Sequence, residues 1–85
     1  MPHHKSAAKR VITNEKARRR NIAFRSRMRA ALKAVREADT RAKADVAYRQ
    51  AVSVLDRTAA KGVIRRETAS RHKARLARFA ATRPA

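Results

Sequence analysis

Basic side chains dominate the chemistry open to this sequence. Lys5, Lys9, Arg10 and Lys16 lead into an Arg18-Arg19-Arg20 cluster, which Arg25, Arg27 and Arg29 continue. Ser6 contributes a hydroxyl beside the first of these cations. A second group, Arg71-His72-Lys73-Ala74-Arg75, stands toward the C-terminus. Side chains of this kind bind oxyanions. Arg outnumbers Lys seventeen to seven, which favours phosphate, because the planar guanidinium fork matches two phosphate oxygens at once.

The groups needed for catalysis are scattered. Asp45 and Asp56 lie eleven residues apart, about three helical turns, with no histidine beside either. Glu15 with Arg19 and Glu67 with Arg71 stand at i,i+4 spacing, which supports a helix. His3 and His4 are adjacent and His72 is distant, so no clustered metal-ligand set is evident. There is no cysteine, which excludes thiolate chemistry and zinc–thiolate sites. A single glycine excludes a glycine-rich phosphate loop. No enzyme activity, cofactor, metal or small-molecule substrate is expected.

His72 has two readings. It falls on an apolar stripe between Ala69 and Leu76, as a packed histidine would. It also falls among Arg71, Lys73 and Arg75, as a nucleic-acid contact would. Phe24 and Tyr48 sit at helical spacing within apolar stripes and read as core. Recognition by stacking on single strands is therefore poorly served. Phosphate and sugar contact to structured RNA, which needs Arg and Lys, fits better.

The charge total points the same way. The 85 residues carry 24 Lys plus Arg against 6 Asp plus Glu, a formal charge of +18. So much charge on a short chain opposes compaction, and a polyanion must compensate it. Nucleic acid does so by releasing condensed counterions. An anionic membrane surface is the rival, but the most basic segment has few bulky apolar residues and no Trp, so no membrane partner is expected. No apolar run is long enough to span a bilayer, and the start of the sequence lacks the apolar stretch of a signal peptide.

The charge is also segregated. Residues 1–36 hold twelve Lys/Arg and one acid, residues 37–60 hold four of each, and residues 61–85 hold eight Lys/Arg and one acid. A neutral middle between two basic flanks is not how an ordinary solvated surface is built.

The elements that must position these groups are helical. Twenty residues are Ala, whereas Leu, Ile, Val and Phe together number only fourteen. That composition predicts good helices and a thin core. The fold class expected is all-α, an antiparallel three-helix bundle forming one domain. The first helix is expected over about 6–36 with Ser6 as N-cap, and Phe24, Met28, Leu32 and Val35 on its inner face. Asp39 or Thr40 caps a second helix over about 41–61, with Val52 and Leu55 inside and Asp45–Arg49 as a supporting pair. Gly62 stands where a left-handed residue ends that helix. A third helix follows over about 66–82, with Leu76 and Phe79 inward.

Lengths then matter. At 1.5 Å per residue these helices run to about 46, 31 and 25 Å, so the N-terminal part of the first overhangs the bundle. Its inner stripe turns polar there, through Arg10, Asn14, Ala17 and Arg20. A basic helix with no packing partner is a probe for a groove or is frayed until bound, and residues 1–20 are expected to be largely unfolded in the free protein. A zipper-type DNA binder would need longer apolar heptads than the stretch between Phe24 and Asp39 provides. A histone-like architectural DNA-binding protein would want wedge residues and a strand-rich arm, neither of which is evident; it is the alternative to an RNA binder.

Four segments, in order, resemble one known family. His4-Lys5-Ser6-Ala7-Ala8-Lys9-Arg10 resembles the opening of bacterial small-subunit ribosomal protein S20, and Asn14-Glu15-Lys16-Ala17-Arg18 resembles its next stretch. Ala59-Ala60-Lys61-Gly62-Val63-Ile64 resembles its turn, and Arg71-His72-Lys73-Ala74-Arg75-Leu76 its later basic element. The match is collinear over essentially the whole chain. The resemblance implies a three-helix bundle that binds the 5′ domain of 16S ribosomal RNA as a structural and assembly component of the small subunit, cytoplasmic and within the ribosome. Other subunit components would be neighbours by proximity, with no homo-oligomer. It also implies that Lys5, Ser6, Lys9, Arg10, Lys16, Arg18, Arg71, Lys73 and Arg75 lie on ribosomal RNA.

Overall fold

A computed structural model describes the backbone of residues 2–85 and the side chains from Lys5 onward. It contains three helices: α1 (Pro2–Glu37), α2 (Arg41–Ala60) and α3 (Arg66–Ala81). There is no strand among the described residues. The all-α class and the three-helix arrangement hold.

Helix α1 starts at Pro2, four residues before the expected cap, so Ser6 lies inside the helix and caps nothing. Proline suits a first turn, because its fixed φ is already helical and its missing N–H would have had no partner there. The 36 residues of α1 extend about 54 Å.

Thr40 is the cap of α2. Its backbone is extended (φ −125°, ψ 159°), and its side chain accepts a hydrogen bond from the Lys43 N–H at 3.3 Å. Asp39, the other candidate, pairs with Lys43 Nζ at 3.2 Å. The hydrogen bond and charge of Lys43 hold the Asp39 carboxyl below its ordinary range. Arg49 is not the partner of Asp45; Arg41 Nε lies 4.0 Å from it, at the same spacing in the opposite direction. The expected Glu67–Arg71 pair is likewise not formed among the described residues.

The C-terminus of α2 is closed by two bonds. Gly62 N–H donates to Ala59 C=O at 2.9 Å, and Val63 N–H to Thr58 C=O at 3.2 Å. This is the Schellman pattern, which needs a left-handed residue, and Gly62 has φ 74°. Val63 is buried over the end it closes. Arg65 stands at the N-cap of α3 and its side chain makes no capping hydrogen bond.

Past α3 the chain turns back. The Pro84 carbonyl accepts the Arg41 N–H at 2.8 Å, and Arg41 Nη1 reaches the Ala81 carbonyl at 3.4 Å. The segment after α3 thus satisfies an amide that the first turn of α2 cannot satisfy itself. Arg83 lies over the Phe79 ring, 4.0 Å from its centroid.

The core is small. Leu32, Val35, Ala51, Leu55, Ala69 and Leu76 form its main cluster, with Met28, Tyr48, Ile64 and Phe79 packed at its margin. Ala38, Ala44 and Ala80 form a second cluster at the closed end. Four residues expected inside are only half-buried, Phe24, Met28, Val52 and Phe79, and of these Phe24 and Val52 lie outside the main cluster. Phe24 sits where α1 leaves the bundle, and Arg27 stands over its ring at 5.6 Å. Thr58 is fully buried instead, its hydroxyl donating to the Val54 carbonyl at 2.6 Å.

Helices α1 and α2 share the largest interface, α3 packs chiefly on α2, and α1 meets α3 along a narrower strip. The molecule extends 67 × 20 × 12 Å with a radius of gyration of 17.5 Å. A compact chain of this length would have about 12 Å. The difference is the overhang of α1.

Candidate nucleic-acid interface

Helical phase sorts the α1 cations onto two edges. Lys9, Lys16, Arg20 and Arg27 recur at steps of seven, four and seven residues, and so do Arg18, Arg25, Arg29 and Arg36. Steps of seven drift only about 20° on a straight helix, so each set is nearly in line. The two lines flank the stripe that carries Met28, Leu32 and Val35, roughly opposite one another. All eight side chains are exposed. Lys5 is exposed as well.

Beyond the bundle, the stripe that is apolar lower down becomes Ser6, Arg10, Thr13 and Asn14. Together with Lys9 these line a shallow polar recess on the overhang. Thr13 Oγ1 donates to the Lys9 carbonyl at 2.8 Å. No other part of the described chain covers this surface. Val11 and Ile12 are also exposed on the overhang, between its cations.

The arginine cluster is ordered by one acid. Glu15 Oε2 accepts from Arg18 Nε at 3.0 Å, and Glu15 Oε1 from Arg18 Nη2 at 2.7 Å and Arg19 Nε at 3.2 Å. The expected Glu15–Arg19 pair is formed, and Arg18 is the stronger partner beside it. The two arginines hold the Glu15 carboxyl below its ordinary range, Arg18 contributing most. Two of three neighbouring guanidinium groups are thereby fixed, while Arg20 points its donors to solvent.

The second basic group divides between surface and interior. Arg71 and Arg75 are exposed. His72 is half-buried, and its pKa lies below the ordinary imidazole value, first through burial and then through Arg71, Arg75 and Arg36. It is therefore neutral at pH 7 in the free chain. Arg36, which is not among the residues expected on RNA, brings the α1 line to α3; its spacing of seven from Arg29 is the signal that marks it. Lys73 turns away from these residues toward α2, where its Nζ pairs with Asp56 Oδ1 at 2.9 Å.

Among the described residues no group of three or more His, Asp or Glu side chains could hold a metal. The His3 and His4 side chains lie outside the described residues. No described helix is long and apolar enough to cross a membrane.

An elongated helical bundle whose longest helix carries two lines of exposed cations is the architecture of a protein built to lie on a folded polyanion. Comparison with known proteins narrows that class. The family model described as ribosomal protein S20 matches residues 2–81. Proteins called small ribosomal subunit protein bS20 are similar over nearly their whole length. The one from Nitrosomonas eutropha is 44% identical, over 89% of this chain and 91% of its own. That from Bifidobacterium longum subsp. infantis is 45% identical over 91% and 93%. That from Geobacter metallireducens is 42% identical over 96% and 98%. The chain belongs to the ribosomal protein S20 family.

Proposed function

We infer that this protein is a structural constituent of the small ribosomal subunit that binds the 5′ domain of 16S ribosomal RNA, and that it acts as one RNA-binding domain in the cytoplasmic ribosome. The observation that carries the reading is the overhang of α1, a cationic helix with no packing partner among the described residues, in a member of the S20 family.

The geometry supports a mechanism. RNA segments brought close together repel through their phosphates. A helix with cations on two opposite edges can lie between two such segments and compensate both. One edge would use Lys9, Lys16, Arg20 and Arg27. The other would use Arg18, Arg25 and Arg29, extended onto α3 by Arg71, His72 and Arg75. Lys5, Ser6 and Arg10 would seat the tip, with Arg19 between the edges. The neutral α2 closes the bundle and holds α3 beside α1. No catalytic step is involved.

The test is affinity for a 16S 5′-domain transcript across a salt series, with duplex DNA of equal length as competitor. RNA-selective binding that falls by roughly 0.7–0.9 log units per phosphate contact for each log unit of salt is the expected result. Equal binding to DNA and RNA would overturn the reading and favour an architectural DNA-binding protein.

A further inference from the structure

Between the end of α2 and the start of α3 lies a recess of about 260 Å³. It is separate from the two cationic edges of α1. Its floor includes Ala59 and Ala69, and its rim carries Asp56, Lys73, Arg66 and Ser70. The volume falls just below the range of small-molecule pockets, which suits a single flat group better than a metabolite.

The rim is unusual for this protein. The edges of α1 present cations alone over most of their length, yet here a carboxylate stands at the mouth of an apolar hollow. Asp56 is more than half exposed, and Lys73 is its only partner among the described residues. The carboxylate of Asp56 offers acceptors to a ligand edge rich in N–H donors, while Arg66 and Lys73 beside it leave the rim net positive. The ion pair presents, side by side, one ammonium donor and two carboxylate acceptors. Guanine presents the complement on its Watson–Crick edge: the O6 acceptor, then the N1–H and N2–H donors. Bases displaced from the stack are recognised through such edges.

We propose that this recess receives one unstacked guanine of the bound RNA, with Asp56 accepting from N1–H and N2–H, Lys73 donating to O6, and the base lying on the alanine floor. Arg66 and Ser70 stand on the same face of α3 as Lys73, at steps of four and three residues, and serve the sugar and phosphate of that nucleotide. The protein then reads one base, whereas its α1 contacts are to backbone. The inference rests on the RNA-binding reading above.

Kethoxal, which modifies the N1/N2 edge of guanine, supplies the test on the 16S 5′-domain transcript. With the wild-type chain, one guanine reactive in the free RNA becomes protected. With Asp56→Asn its reactivity returns, while hydroxyl-radical protection of the backbone is unchanged. Inosine at that guanine, which lacks the N2 amino group, lowers wild-type affinity on the order of tenfold and leaves the affinity of Asp56→Asn unchanged. The inosine arm alters only the RNA, so it decides the matter even if the variant folds poorly. RNA-selective binding with no protected guanine, or with inosine tolerated by the wild-type chain, overturns the base-reading site alone. Loss of RNA selectivity in the wild-type chain overturns the parent reading and this one together.

Discussion

Leu55 is fully buried at the centre of the main cluster. Truncating a buried leucine costs about 2–5 kcal/mol, part of it for the cavity left behind. In so thin a core that is a large share of total stability. Leu55→Ala is expected to lower the thermal midpoint sharply or leave the bundle unfolded at 37 °C; an unchanged melt would refute the packing described. Gly62 makes a different kind of demand. A Cβ added there meets nothing within 4 Å, so crowding is not the issue. The cost of Gly62→Ala is the left-handed backbone itself, about 1–2 kcal/mol, and chemical denaturation should measure it. His72 sets a pH dependence. Its folded pKa is lowered, so the folded state resists the proton that the unfolded chain accepts near pH 6.5. Stability is full above that pH and declines as pH falls below it. Melting of the free protein between pH 7.5 and 5.5 should show the decline, and His72→Gln should flatten it. Glu15 and Asp39, also lowered, act only below about pH 4.5 and do not enter this window.

Among the elements, α2 is the most legible in the sequence. Thr40, Gly62 and the stripe from Ala44 to Leu55 each state their role locally. The start of α1 is hard to place because a serine four residues on from a proline imitates a cap, while Pro2 itself is a first-turn residue. The half-burial of Phe24 is not legible, because periodicity gives the face of a helix but not where its partner stops. Lys73 belongs to a basic run by sequence, but a through-space pairing with Asp56 decides its direction. Asp56 itself looks isolated in sequence for the same reason. The overhang of α1 is the least self-sufficient element. Its stripe buries nothing, and neighbouring like charges oppose a helix. Far-UV circular dichroism of the free protein at low salt should therefore show less helix than the full 36 residues of α1 require, with the deficit recovered on adding the RNA transcript. Full helicity without RNA would contradict this.

At the scale of the whole molecule, charge and shape belong together. A radius of gyration of 17.5 Å would be wasteful for a protein stabilised by its own core, since elongation leaves apolar surface wet. It spreads +18 over a greater length and lowers self-repulsion. The same elongation lets phosphate contacts accumulate. Removing one guanidinium, as in Arg20→Ala or Arg29→Ala, should reduce the salt slope by about one for each phosphate that the side chain neutralises without changing the preference for RNA.

The return of the chain from α3 to the start of α2 also fixes an order in time. The carbonyl of Pro84 covers the amide of Arg41, so the first turn of α2, already capped by Thr40, gains this last bond only after α3 has been synthesised. The cations of α1 emerge well before the clasp that closes the bundle. Vectorial synthesis therefore releases the cationic length of α1 before the clasp between Pro84 and Arg41 can form.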